Sequence, residues 1–416
     1  MTTAFDKDLT SFGPVPGTLS NRFIDCPIAD QSTKRTRKNL ELYKNSSSIA
    51  YNSMGWQDRI PKNFEALNSF VPLKIADNSH PYETDDGVWM LVIDIIRIKG
   101  KPHFFYYGNH NRQETPYEPW SSAKLLAASA AVSKARYSSQ GKVGAQALVG
   151  DYSLGDIITT SMSYQHTGNV ETSSNQAANF LLRSAGESYA TDLLDNWILQ
   201  RDGSSFYGKF GRPTFDPGSN VWKQANSSTT LPFNYYSGKD EKAMSLLSIG
   251  EWIKRLAMHK ADPNTALPFL TDLDIETFFY GDPKTAELGG AHKGTSAYIQ
   301  KGLTGLKELG DNEDPYASIN EQARDSLNQN AGRNWRVFLK NGAGPSTSRN
   351  RGEVTLGSYV CLPELDGGRE FILVARSSIK NIEKCSGSAE CYDVLNEASE
   401  LMRVSVKNTI EFLLAN

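Results

Sequence analysis

The chain lacks any run of the ~18 consecutive apolar residues that a membrane-spanning helix needs, so no membrane span is expected. Its first residues, MTTAFDKDLTSFGPVPG, lack the apolar core of a secretory signal. Either the protein is cytoplasmic, or an export signal has been removed ahead of a starting Met. Charge of one sign is also scarce: 44 Lys+Arg against 47 Asp+Glu leave a net charge of -3. That balance excludes the basic excess of a nucleic-acid binder and gives no signal for a membrane surface. The short cluster Lys34, Arg35, Arg37 and Lys38 reads as a solvated face.

Metal and cofactor signals are missing too. The six histidines (His80, His103, His110, His166, His259, His292) show no ligand spacing, and no Cys-x-x-Cys is present. No glycine-rich phosphate loop follows a strand, so neither a metal nor a cofactor is expected. Cysteine is sparse, with four in the chain. Cys385 and Cys391 bracket Ser-Gly-Ser-Ala-Glu, a turn-like loop suited to a small disulfide, which implies an oxidising compartment. Cys26 and Cys361 either pair or are two buried thiols. The expected location is periplasmic or secreted, with a cytoplasmic one left open.

What remains is an ordinary globular composition, 39% hydrophobic and 22% charged over 416 residues, enough for a large core. Residues 1–84 are Pro-, Ser- and Asn-rich with short apolar patches and read as an N-terminal extension. VWMLVIDIIRI (88–98) is strand or buried helix by itself. The Lys99–Pro102 break and the aromatic run HFFYY after it favour a β-hairpin. Residues 138–170 read as loops, and 200–235, rich in Gly, Pro and Asn, as one long loop. MSLLSIGEWIKRLAMH (244–259) has the apolar spacing of an amphipathic helix.

The far end alternates again. Trp335–Leu339 reads as a short strand. Val354–Leu362 and Glu370–Ala375 form a hairpin turning at Asp366-Gly367-Gly368, and Leu395, Ala398, Met402, Ile410 and Leu413 mark one face of a last helix. Strands at both ends with helices between them predict an α+β fold: one antiparallel sheet from both chain ends, flanked by helices, plus an all-helical region. The expected division is 1–84 as extension and 85–416 as catalytic domain, with a helical insertion at about 262–334.

The chemistry gathers on PWSSAKLLAASAAVSKAR (119–136). In a helix starting there, Ser121 and Lys124 share a face. A partly desolvated lysine can take the proton that makes a serine hydroxyl nucleophilic. Two further signals follow in order: Ser173-x-Asn175 opening a helix, where Ser and Asn could equally be an N-cap, and Lys340-x-Gly342 ending a strand. A Lys-Gly-Thr at Lys293–Thr295 lacks a preceding strand and reads as loop.

Ser121-x-x-Lys124, Ser173-x-Asn175 and Lys340-x-Gly342 in this order resemble the penicillin-recognising serine hydrolases, and most closely the class A β-lactamases. SSAKLLAASAAV is similar to that family's nucleophile helix, SSNQAANFLL to its Ser-Asp-Asn turn, and KNGAGPSTSRNRG to its Lys-Thr/Ser-Gly strand with a downstream arginine. Asp216-Pro217-Gly218-Ser219-Asn220 resembles its omega loop.

The resemblance implies roles. Ser121 is the nucleophile, Lys124 its base, Ser173 the relay to the leaving nitrogen, and Asp216 the base for the deacylating water, which Asn220 holds. Asn175, Lys340, Asn341, Gly342, Ala343 and Arg349 would bind substrate, with N–H groups of Ser121 and Ala343 as oxyanion hole and Gly342 leaving room for substrate. Three departures stand out: Ser174 where the family has aspartate, Asn341 where it has a hydroxyl, and Asp216 one methylene short of glutamate. The substrate class implied is a β-lactam or a peptidoglycan-type peptide. The alternatives are a D,D-peptidase or penicillin-binding protein, an esterase, or a binding protein without turnover.

Overall fold

The computed structural model describes residues 25–28, 30–31, 65–66, 87–109, 112–163, 168–199, 205–206, 210–235, 242–262, 266–267, 269–282, 299, 328–332, 334–381 and 391–415. The basic cluster at 34–38, the triplet at 293–295, Cys385, most of 1–84 and much of 262–334 lie outside them.

Along the chain come β1 (Glu65–Ala66), β2 (Gly87–Ile98) and β3 (Lys101–Gly108), then a 3-10 turn at Trp120–Ala123 leading into α1 (Lys124–Ser138). Next are β4 (Ala147–Val149), β5 (Tyr152–Ser153), α2 (Leu154–Ser163), α3 (Ser174–Ala185), α4 (Glu187–Asp192) and a π-helical turn, Leu193–Leu199. The short strands β6 (Ser205–Phe206), β7 (Val221–Gln224), β8 (Thr230–Pro232) and β9 (Lys242–Ala243) precede α5 (Leu246–Ala257) and α6 (Asp272–Tyr280). The chain then runs through β10 (Arg336–Ser346), β11 (Arg351–Leu362), β12 (Arg369–Lys380) and α7 (Cys391–Ala415).

The main sheet has the order β1-β3-β2-β12-β11-β10, antiparallel except for the short β1–β3 contact. It is therefore built from both chain ends. Ile98 pairs with Lys101, so the first hairpin turns on Lys99 and Gly100 alone. Both have positive φ, 51° and 75°, the type I′ combination whose twist suits paired strands.

Alternate residues of β2 feed two cores. Trp89, Leu91, Ile93 and Ile95 face the larger one with α5 and α1, while Val88, Met90 and Val92 face the smaller one with α7. A strand covered on both faces has no polar alternation, which is why VWMLVIDIIRI could pass for a buried helix. The face of α7 read from the sequence is in place, with Leu395, Ala398, Met402, Ile410 and Leu413 all in the smaller core. Helix α1 is buried nearly all round and forms the axis of the helical region.

Two expectations are corrected. Residues 154–163 are helix α2 rather than loop: their Ile, Thr, Ser and Met side chains are all buried, so core packing overrides the β-branched residues. Strand β10 does not stop at Leu339 but continues through Ser346, because β11 pairs with it along its whole length.

The described part of the N-terminal extension is tied to this body. Cys26 and Cys361 form a disulfide, resolving the open alternative in favour of pairing. Gln31 Nε2 donates to the Gly368 carbonyl at 2.7 Å, and Gln31 Oε1 accepts from Arg97 N at 2.7 Å. Cys391 is disulfide-bonded as well.

The Cys26–Cys361 bridge spans 335 residues of sequence, so cutting it frees a very large loop in the unfolded chain. The double variant Cys26→Ser/Cys361→Ser is expected to lose about 2–5 kcal/mol of stability, read as a lower denaturant midpoint. An unchanged midpoint would mean that the bridge constrains nothing the fold needs.

Candidate active site

The turn before Ser121 is fixed from several sides. Ser122 Oγ and Thr355 Oγ1 both donate to the Pro119 carbonyl, at 2.6 and 2.8 Å. Trp120 Nε1 donates to Glu353 Oε2 at 3.1 Å. Trp120 itself has φ 48°, a left-handed backbone that a bulky residue adopts only when its surroundings impose it.

The imposing element is β10. A Cβ placed on Gly342 would lie 2.4 Å from Ser121 N and 2.7 Å from Trp120 Cβ, and one on Gly344 would lie 2.2 Å from the Trp120 ring. Strand and turn are in direct backbone contact. Gly342 thus makes room for the Ser121 turn itself, where the expectation was that it makes room for substrate.

Lys124 begins α1 one turn further on and is fully buried. Its Nζ donates to Ser174 Oγ at 2.7 Å and to Asn175 Oδ1 at 2.6 Å, both on the first turn of α3. Ser174 Oγ in turn donates to the Ser161 carbonyl at 2.6 Å. Burial, and then the charge of Lys242, hold Lys124 well below the ordinary lysine range.

Lys340 points from β10 toward the same region and is 1% exposed. Its Nζ donates to the Met162 carbonyl at 2.6 Å. Burial, and then the charge of Lys124, push it well down as well. Ser161 and Met162 are in the last turn of α2, whose carbonyls have no intrahelical donor. That helix end therefore supplies the acceptors that both the Ser174 hydroxyl and Lys340 need.

The structure brings together Lys124, Asn175 and Lys340 around the Ser121 turn, with Gly342 beside it. Four expectations fare differently. Ser173 is the exposed N-cap of α3: its Oγ accepts from Gln176 N at 3.2 Å and donates to Gln176 Oε1 at 2.9 Å. The hydroxyl on Lys124 is that of the neighbouring Ser174. Asn341 is buried, but alternation along β10 turns it to the α7 face with Val337 and Leu339, opposite Lys340. Arg349 gives its charge to Glu353 at 2.5 Å, which also pairs with Arg376 at 3.2 Å, and lies over the Trp120 ring.

The fourth is the loop carboxylate. Asp216 is exposed and accepts from its own Gly218 N at 2.9 Å, closing an Asx turn. Asn220 is exposed too, and its carbonyl accepts from Phe233 N at 2.9 Å. The loop is also clamped further upstream. The buried side chain of Asn179 accepts from Phe210 N at 2.7 Å and donates to the Arg212 carbonyl at 2.6 Å. This holds the ring of Phe210 with its centroid 5.7 Å from Lys124 Nζ.

Sequence reading missed Ser174, Asn179, Phe210 and Lys242. For Asn179 a signal existed, since it lies four positions after Asn175 on one face of α3. Phe210 and Lys242 reach the site only through tertiary contacts.

No protein-family model and no curated protein matches the sequence. Solved structures similar in outline are class A β-lactamases and β-lactamases. The class A β-lactamase from Bacteroides cellulosilyticus is 10% identical, with a TM-score of 0.39, 81% of this chain covered and 97% of that one. The β-lactamase from Chitinophaga pinensis is 11% identical, with a TM-score of 0.39 and 76% and 93% covered. For the class A β-lactamase reconstructed as the last common ancestor of Gram-negative bacteria the values are 13%, 0.36, 76% and 93%.

Gly342→Ala forces β10 away from the Ser121 turn. It is expected to cost about 1–3 kcal/mol and to slow covalent labelling of Ser121 by a fluorophosphonate. Normal labelling in this variant would show that the turn does not depend on the strand.

Proposed function

We propose that the protein is a serine hydrolase that works through an acyl-enzyme on a β-lactam or a related amide or ester. The observation that carries this reading is the buried Lys124 Nζ, held by Ser174 Oγ and Asn175 Oδ1 one helical turn from Ser121. Burial, and then the charge of Lys242, lower the Lys124 ammonium well below the ordinary range, which favours the amine form that can accept a proton.

In this reading Lys124 takes the Ser121 hydroxyl proton as Oγ bonds to the substrate carbonyl carbon. The carbonyl electron pair moves to oxygen, toward the N–H groups of Ser121 and Ala343. When the oxyanion collapses, the C–N or C–O bond breaks and the proton passes from Lys124 through Ser174 to the leaving atom. Lys340 draws a substrate carboxylate toward the edge strand. Arg349, already paired with Glu353, adds little to that pull.

A specific observation favours slow deacylation: Asp216 is turned into its own turn and exposed. The product of that balance is a long-lived acyl-enzyme, as a D,D-peptidase or penicillin-binding protein would form, rather than rapid β-lactam turnover. Two disulfide-bonded cysteine sites favour a periplasmic or secreted setting. Residues 85–416 form the catalytic unit in this proposal.

Intact-protein mass after mixing with a penicillin tests it. Wild type is expected to hold one lasting adduct and Ser121→Ala none, with Lys124→Met acylating about 100-fold or more slowly. No adduct and no drug loss would overturn the reading. Asp216→Asn is expected to leave deacylation unchanged; a longer-lived adduct in this variant would return Asp216 to the mechanism.

A further inference from the structure

Lys242 belongs to no motif, yet the fold carries it to the site. Tyr117 and Met244 form an antiparallel bridge, with Tyr117 N donating to the Met244 carbonyl at 2.8 Å and Met244 N to the Tyr117 carbonyl at 3.2 Å. This bridge lays β9 against the segment that runs through Glu118 and Pro119 into the Ser121 turn. The pairing continues on the far side, where Lys242 pairs with Phe206. Lys242 is thus fixed by its own pairing with Phe206 and, two residues on, by the Met244 bridge to Tyr117, although its side chain is only half-buried.

Its ammonium lies 4.5 Å from the centroid of the Phe210 ring, the same ring that Lys124 Nζ approaches at 5.7 Å. The two nitrogens are therefore no further apart than those two distances together. We infer that Lys242 is a third lysine of this site, a positioning residue whose ammonium sets the charge state of Lys124 across the Phe210 ring. This rests on the proposed pairing of Ser121 with Lys124 and names what tunes it.

Several elements pack around Lys124. From α3 it meets Ser174 and Asn175, which are uncharged, and from the 210–220 loop it meets the Phe210 ring. From β10 comes Lys340, a lysine itself held down by burial. The charge of Lys242 acts on Lys124 after burial, and the charge of Lys124 in turn lowers Lys340. Lys242 is more exposed than Lys124 or Lys340.

Glu118, three residues before Ser121, faces Lys242 and Arg349 and accepts from Trp120 N–H. Burial raises its carboxyl above the ordinary range, and Lys242 and Arg349 act against that rise. Two like charges about 10 Å apart in a protein setting shift each other by about one pKa unit.

The test is the pH dependence of Ser121 labelling by a fluorophosphonate, a probe that needs no β-lactam recognition, followed by intact mass. Wild-type labelling is expected to rise with pH as Lys124 loses its proton. In Lys242→Met that rise is expected to move about one unit upward, with a tenfold slower rate on the acid side and the plateau kept. Lys242→Arg is expected to restore the wild-type profile, which a merely structural role for the side chain would not require. A Lys242→Met profile that superimposes on wild type overturns the inference while leaving Ser121 as nucleophile. No labelling of Ser121 in wild type overturns the nucleophile itself, and this inference with it.

Discussion

Two lysine side chains buried at 0% and 1% exposure in one site are the constraint on which the rest is built. An ammonium removed from water costs several kcal/mol unless hydrogen bonds replace its hydration. Here the replacements come from two elements: the first turn of α3 for Lys124 and the last turn of α2 for Lys340, with Ser174 of α3 linking the two helices. The last turn of α2 must therefore meet the first turn of α3, and β10 must come close enough for Lys340 to reach across. A sheet drawn from both chain ends meets that requirement, because its last strand, β10, is an edge free to border the helical region.

The burial has a chemical consequence as well as a structural one. Helix C-terminal carbonyls favour a cation beside them, whereas desolvation and a neighbouring lysine oppose it. For both Lys124 and Lys340 the second influence wins, since each is pushed well below the ordinary range with burial as the largest cause. Burial of this kind opposes the charged form of both lysines. Such displaced groups concentrate where chemistry occurs.

The sequence made the rigid parts of this site readable and hid the rest. Ser121 with Lys124, and Lys340 with Gly342, are spaced by helix and strand geometry alone, so their juxtaposition needs no tertiary knowledge. The β2–β3 hairpin and the face of α7 were legible for the same reason. Three readings failed where a choice between neighbours depends on what lies opposite. Ser173 and Ser174 are both hydroxyls, and only the fold makes one a cap and the other the lysine's partner. Asn341 was judged by its place in a triplet, but the pleat turns it away. Asp216 was judged by its loop motif, but the Asn179 clamp fixes the loop six residues earlier, at Phe210. Lys242 left no trace at all, being placed by a pairing that joins distant segments.

The backbone at Trp120 shows how these pieces are held to useful precision. A left-handed tryptophan costs about 1–3 kcal/mol and relaxes unless several contacts oppose it. Here the indole N–H is bonded to Glu353, and the ring is stacked beneath Arg349 and seated on Gly344. The preceding carbonyl is held by Thr355 and Ser122. All but one of those partners come from β10, β11 or the turn between them, so the sheet edge and the Ser121 turn form one unit. A hydroxyl presented by such a turn loses little further freedom when a substrate arrives, and orientation of this kind is worth several kcal/mol of barrier. The strain is then the local cost of keeping Ser121 fixed against β10.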